Sequence, residues 1–216
     1  MKTIITLAVI AAIATTGLGQ DAPAKAMDER LAEIDPILRE LEPMGRQNLN
    51  VPRSHGEFLR SLVEMSGAKR VLEVGTSNGY SSLWIGLGLE KTGGELVTLD
   101  IDPEKVKQAR ANIERAGMSG RITVVQGDAL ETIPAQTGKF DFVFLDAVKS
   151  DYPKYFELSR PMLTKRSLVV AHNAISAAEA LGPYFELMNS DPNMQTTIVA
   201  IQPRDGIAVT YIRRKP

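Results

Sequence analysis

The chain has 216 residues, enough for one domain with a sizeable core, and its 44% hydrophobic and 24% charged residues are the balance of an ordinary globular protein. A formal net charge of −1 removes any bulk electrostatic case for nucleic acid or an anionic membrane as partner. The absence of cysteine excludes disulfides, thiolate metal sites and a cysteine nucleophile, and it fits an oxidising and a reducing compartment equally.

Lys2 precedes an uncharged, mostly apolar run from Ile4 to Ile13, and small residues follow through Gly17, Gly19, Ala22, Ala24 and Ala26. Basic start, short apolar stretch and small residues are the layout of a secretory signal peptide, and the run is short for a permanent bilayer anchor. Residues 1–26 are therefore expected to be a signal and short linker, and 27–216 one domain, secreted or periplasmic and with no membrane partner after cleavage. The competing expectation is translation from Met27, which would leave the protein cytoplasmic.

From Met27 to Leu41 the apolar residues Leu31, Ile34, Ile37, Leu38 and Leu41 have helical spacing, with a kink or two short helices expected at Pro36. A second helix is expected from Ser54 to about Met65, Ser54 and Glu57 having the spacing of a capping box. Strands and helices then alternate. Strands are expected at Arg70–Val74, Glu95–Asp100, Arg121–Gln126, Phe140–Leu145 and Ser167–Ala171. Helices are expected at Tyr80–Leu89, Pro103–Ala116, Ala129–Ile133, Tyr152–Leu163 and Ile175–Met188, the last interrupted at Gly182-Pro183. Thr196–Gln202 and Ile207–Ile212 flank Pro203–Gly206 and read as a hairpin. Five strand–helix units and a hairpin predict an α/β fold: a doubly wound, Rossmann-like, seven-stranded and mostly parallel sheet with a C-terminal antiparallel hairpin and N-terminal cap helices.

In such sheets ligands sit beyond the carboxyl ends of the strands. The first strand ends in Glu73-Val74-Gly75-Thr76-Ser77-Asn78-Gly79-Tyr80-Ser81, where Gly75 and Gly79 permit a tight turn that brings backbone amides near a ligand. The spacing is not the G-x-G-x-x-G of dinucleotide folds, which disfavours a nicotinamide oxidoreductase. Asp100, at the end of the second strand, is placed to accept hydrogen bonds from ribose hydroxyls, while Asp102 suits the start of the next helix. The third strand leads into Gly127-Asp128-Ala129, a polar edge suited to adenine.

With these motifs, N-L-N-V-P at Asn48–Pro52, L-D-I-D-P at Leu99–Pro103, F-D-F-V-F-L-D-A-V-K-S-D-Y at Phe140–Tyr152 and the C-terminal D-G-I-A-V, the chain resembles class I O-methyltransferases related to catechol and caffeoyl-coenzyme A O-methyltransferases. The resemblance implies S-adenosylmethionine as cofactor and a small, phenolic or catechol-like hydroxyl compound as acceptor. It places the methionine moiety near Val51, the Gly75 turn and Ser81, the ribose at Asp100 and the adenine near Asp128 and Ala129. Glu73, Ser77, Gly79, Ile101 and Asp146 complete the expected cofactor-contacting set. Many members of that family are dimers, so a homodimer is one admissible assembly.

The resemblance also makes Asp146 a ligand of a divalent cation, usually magnesium, and Lys149 the base that deprotonates the acceptor. The fifth strand departs from the family pattern, ending in His172-Asn173 where an Asp-Asn pair is the rule. Asn173 keeps its place as a neutral oxygen ligand. An imidazole suits magnesium poorly and zinc, iron, nickel or manganese better. Three readings of His172 stand: ligand of such a metal alongside Asp146 and Asn173, metal-free general base near Lys149, or a hydrogen-bonded histidine in a site that has lost catalysis. The last would make the chain a cofactor-binding protein without transfer activity. His55, near a helix start, reads as structural, with the acceptor pocket as its other place.

Overall fold

The computed structural model describes residues 21–44 and 48–213, with side chains from Glu29 onward. The apolar run Ile4–Ile13, on which the export signal was expected, lies outside the described residues. Among the described residues no helix is long and apolar enough to cross a membrane. Contacts divide the chain between Glu33 and Ile34, and the side-chain packing below concerns the unit from Ile34 onward.

Helix α1 (Asp21–Leu41) is continuous through Pro36, so the expected division into two helices does not occur. Ile34, Leu38 and Leu41 are all buried on one stripe, and this common burial holds the turns on either side of the proline together. Helix α2 (Arg53–Ser66) begins at Arg53, just after Pro52, so Ser54 lies inside the first turn and the expected capping box does not form. The amides of His55 and Gly56 instead donate to the Pro52 carbonyl, and Glu57 pairs with Arg53 at 3.2 Å.

Strands β1 (Arg70–Val74), β2 (Glu95–Asp100), β3 (Ile122–Gln126), β4 (Phe140–Leu145) and β5 (Leu163–Ala171) are mutually parallel. Strands β6 (Met194–Gln202) and β7 (Asp205–Arg213) form the antiparallel hairpin, with β7 paired to β5. The sheet order is β3-β2-β1-β4-β5-β7-β6, the seven-stranded arrangement expected from the sequence. Helices α3 (Tyr80–Thr92), α4 (Pro103–Arg115), α5 (Ala129–Thr132), α6 (Tyr152–Ser159) and α7 (Gly182–Ser190) connect them. Strand β4 is almost continuously buried, as a central parallel strand covered on both faces must be.

Two prolines set boundaries that sequence spacing misplaced. Helix α6 stops at Ser159 because Pro161 has no amide for the α ladder; a 3-10 turn, Arg160–Met162, follows and β5 starts at Leu163. Gly182-Pro183 does not interrupt a helix but starts one, proline being well suited to the first helical turn, and residues 173–181 form turns. The hairpin turn contracts to Pro203-Arg204 because both strands extend to nine residues.

Helix α3 is buried along its first ten residues and meets α2 through glycines. A methyl group on Gly56 would stand 2.2 Å from Cδ1 of Trp84, and one on Gly88 2.9 Å from the Arg60 carbonyl. Gly56→Val should therefore lower stability by about 2–3 kcal/mol through overpacking, read as a lower urea midpoint. Gly120, with nothing within 4 Å of an added methyl, should tolerate alanine to within about 0.5 kcal/mol. Equal midpoints for the two variants would contradict this packing.

Candidate active site

The strand order reverses between β1 and β4, and here a cavity of about 880 Å³ opens at the carboxyl ends of β1 to β5. Gly75, with φ of 104°, turns the chain out of β1, its amide donating to the Leu99 carbonyl at 2.9 Å. A side chain there would meet the Asp146 carbonyl oxygen at 2.1 Å, so only glycine fits between the two strand ends. Ser77 also takes a positive φ, 48°, and Gly79, at 88°, leads into α3.

Beneath this turn Glu73 is fully buried and accepts hydrogen bonds from the hydroxyls of Ser81, at 2.6 Å, and Ser82. Burial pushes its carboxyl up to about 7, even though these hydroxyls favour the charged form. Glu73 and Gly79 do not line the cavity, whereas Gly75, Ser77 and Ser81 do. Glu73 thus meets the cavity through Ser81.

Asp100 lies across the turn. Its carboxylate accepts from the amides of Ser77 at 2.7 Å and Asp102 at 3.0 Å, leaving lone pairs for a ligand. Asp102 caps α4, as its position suggested, accepting from the Glu104 amide at 2.9 Å. Ile101, largely exposed at 66%, lines the same region with Asp128 and Ala129. Asp128 caps α5 through the Leu130 amide at 2.8 Å. The segment before α2 closes the opposite wall: the Ser77 hydroxyl donates to the Asn48 carbonyl at 2.5 Å, and buried Val51 faces the cavity.

At the ends of β4 and β5 the polar groups become dense. Lys149 Nζ donates to Asp146 Oδ1 at 2.9 Å and to the Tyr152 hydroxyl at 2.8 Å, and that hydroxyl donates to the Leu145 carbonyl. Asp146 Oδ1 also lies 3.1 Å from His172 Nδ1, an ion-pair approach that is not aligned as a hydrogen bond. On its other side His172 Nε2 stands 2.9 Å from His55 Nδ1 and 3.5 Å from Asp205 Oδ2. Asp205 is held by the Asn173 amide at 2.9 Å, the Ser176 hydroxyl at 2.8 Å and the Gly206 amide at 2.8 Å.

The charges follow from this crowding. Burial pushes the Asp146 carboxyl up, but His172 and Lys149 outweigh it and hold it below the usual range. Burial also opposes ionisation of Asp205, where the hydrogen bonds from Ser176 and Gly206 prevail, helped by His172, and hold it low. The His55 imidazole is held below its ordinary value by burial, with the nearby charge of His172 adding to it.

Val51, Gly75, Ser77, Ser81, Asp100, Ile101, Asp128, Ala129, Asp146, Lys149, His172 and Asn173 all line one cavity. Asp205 and the neighbours of Val51 also line it but were not singled out as site residues. The quoted D-G-I-A-V and N-L-N-V-P segments were the available signals. His55 is buried behind His172 rather than on the cavity wall.

The expected metal ligands Asp146, His172 and Asn173 all line the cavity. Asp146 faces Nδ1 of His172, while Asn173 commits its amide to Asp205. Among the described residues, His55, His172 and Asp205 are the acid and imidazole side chains whose ligand atoms converge, all within 4.8 Å of one another. A donor set with two imidazoles fits a borderline divalent transition metal and fits magnesium poorly.

The sequence model described as O-methyltransferase matches residues 28–211. A catechol O-methyltransferase of Niastella koreensis is 34% identical over 192 residues, covering 80% of this chain and 86% of that protein. One of Mycobacterium tuberculosis is 32% identical over 178 residues, covering 76% and 80%. Among solved structures, the O-methyltransferase from Bacillus cereus in complex with SAH superposes with a TM-score of 0.74 at 28% identity, covering 86% of this chain and 91% of that one. The chain belongs to the class I, S-adenosylmethionine-dependent O-methyltransferase family.

Glu73 gives a pH test of the buried layer under the turn. The unfolded chain titrates it near 4.5 and the fold near 7, so between these values the folded chain holds more of its proton. The stability linked to Glu73 is full below the lower value and is lost as pH rises through the upper one. Glu73→Gln carries no such proton, and its urea midpoint should rise relative to wild type from pH 4.5 to about 8. A constant difference across that range would contradict a raised Glu73.

Proposed function

We propose that the protein transfers the methyl group of S-adenosylmethionine to a hydroxyl of a small acceptor, with the acceptor held by the loops after β4 and β5. The observation that carries this reading is the single cavity in which the Gly75 turn, Asp100 and Asp128 stand beside Asp146, Lys149 and His172. Its volume, about 880 Å³, is near the upper end for small-molecule sites and leaves room for a cofactor and an acceptor together. The named activity of the two curated relatives points to catechol-like acceptors with neighbouring hydroxyls.

In this reading Asp100 accepts the ribose hydroxyls, Asp128 and Ala129 border the adenine, and Val51, Gly75, Ser77 and Ser81 surround the methionine portion. Glu73 and Gly79 shape the turn from below. The acceptor oxygen attacks the methyl carbon, the carbon–sulfur bond breaks, and the sulfonium becomes a neutral thioether. Charge is dispersed, so alignment and deprotonation are the protein's main contributions. Lys149, fixed by Asp146 and Tyr152, is the first candidate for the base that takes the hydroxyl proton, and His172 is the second basic group on the same wall. A divalent ion held beside His172 supplies, when bound, polarisation that lowers the acceptor's pKa.

Methyl transfer to a catechol panel, measured with and without chelator and added metals, tests the proposal. Lys149→Ala should lower kcat by about 10²- to 10⁴-fold while leaving S-adenosylmethionine affinity near wild type. Asp100→Ala should weaken cofactor binding by about 1.5–3 kcal/mol, roughly 10- to 150-fold. Cofactor binding without turnover under any metal would support the non-catalytic alternative instead.

Export of the chain belongs to the same proposal. A mature N-terminus between Gln20 and Ala26, found outside the cytoplasm by sequencing the native protein, is the expected result; a start at Met27 would overturn it.

A further inference from the structure

Two buried histidines meet nitrogen to nitrogen at the back of the cavity, one from α2 and one from the end of β5. We infer that His55, His172 and Asp205 form a nitrogen-rich site for a borderline divalent transition metal such as zinc, and that Asp146 orients His172 rather than binding the ion. This rests on the methyltransfer reading only for its purpose, since the ligand geometry stands by itself.

Two of the three separations are those a metal requires, and all three ligand atoms lie within 4.8 Å of one another. Zinc–nitrogen and zinc–oxygen bonds of about 2.0–2.2 Å place neighbouring ligand atoms roughly 2.9–3.5 Å apart in octahedral to tetrahedral geometry. His55 Nδ1 and His172 Nε2 are 2.9 Å apart, and His172 Nε2 and Asp205 Oδ2 3.5 Å. Two imidazoles and one carboxylate can also leave positions for acceptor oxygens, as catalytic sites do.

The surroundings agree in orientation. With Nε2 on the ion, the remaining proton of His172 must sit on Nδ1, and that atom faces Asp146 Oδ1 at 3.1 Å. A carboxylate at that distance favours the tautomer with the proton on Nδ1 by charge, although the two groups are not aligned as a hydrogen bond. Asp146 Oδ1 is also shared with Lys149 Nζ at 2.9 Å, which helps hold the carboxylate beside His172. Asp205 is likewise braced, by Asn173, Ser176 and Gly206, with Asn173 acting through it. His55 Nε2 is buried with no protein partner among the described residues, so its Nδ1 is the nitrogen engaged by a neighbour.

The test uses the full chain, stripped with chelator and titrated separately with zinc, cobalt(II), manganese(II) and magnesium, with metal content and cobalt absorption as readouts besides activity. One equivalent of zinc or cobalt is expected to bind far more tightly than magnesium, with a cobalt spectrum showing nitrogen ligation. His55→Ala and His55→Asn should each weaken zinc binding at least tenfold, and Asp146→Asn should weaken it by about 10- to 100-fold without abolishing it. Retained S-adenosylmethionine binding would show that the His55 variants are folded. Magnesium binding as tight as zinc binding, or wild-type zinc affinity in the folded His55 variants, would overturn the site. Zinc binding without cofactor binding would instead remove the methyltransfer reading and leave the metal site standing.

Discussion

The close passage of Gly75 over the carbonyl oxygen of Asp146 is the constraint on which the site depends. At this point β1 and β4 are neighbours in the sheet, yet the connections leaving them turn to opposite sides, and the cavity is the gap between those departures. The Asp146 amide still pairs with the Val74 carbonyl, so the ladder runs to its last residue before the chains part. A Cβ at position 75 would stand 2.1 Å from the carbonyl oxygen and push the two strand ends apart. The two halves of the cavity, one lined by Ser77 and Asp100 and the other by Lys149 and His172, are in register because this seam is tight.

Around the seam the fold buries ionisable groups in layers. Glu73 lies under the β1 turn with hydroxyl partners and titrates near neutrality. Asp146 lies beside His172 and Lys149 and stays low. The difference is one of neighbours, since both are deeply buried: hydroxyl donors offset only part of the desolvation of Glu73, whereas His172 and Lys149 reverse that of Asp146. One carboxyl therefore serves as a neutral-to-charged support for Ser81 and the other as a fixed negative charge beside Lys149 and His172.

Much of this was legible in the sequence because it depends on local rules. Continuous apolar strands, Asp102 ahead of Pro103 and the spaced glycines of the β1 turn each act within a few residues, and the expected mostly parallel sheet and the cap follow from them. The errors came where a local signal was overruled by a neighbour. Ser54 and Glu57 had capping spacing, but the helix started at Arg53, whose side chain engages Glu57. Gly182-Pro183 carried two opposite meanings, interruption and initiation, and turns before it resolved the choice. The contact of His55 with His172 spans 117 positions, and no periodicity or spacing encodes such a meeting.

That long-range meeting alters what the departure at His172 means. Taken alone, replacing a carboxylate by an imidazole removes a negative charge from a cation site and reads as damage. In the fold, the imidazole has an acid on each side, Asp146 at Nδ1 and Asp205 at Nε2, and a second imidazole in contact. The imidazole–imidazole contact by itself satisfies one nitrogen of each ring and leaves His55 Nε2 and His172 Nδ1 without an aligned partner. Burying His55 in that state is unfavourable unless its Nδ1 makes an interaction stronger than an ordinary imidazole–imidazole hydrogen bond. Coordination supplies such an interaction, and it uses the same two nitrogens.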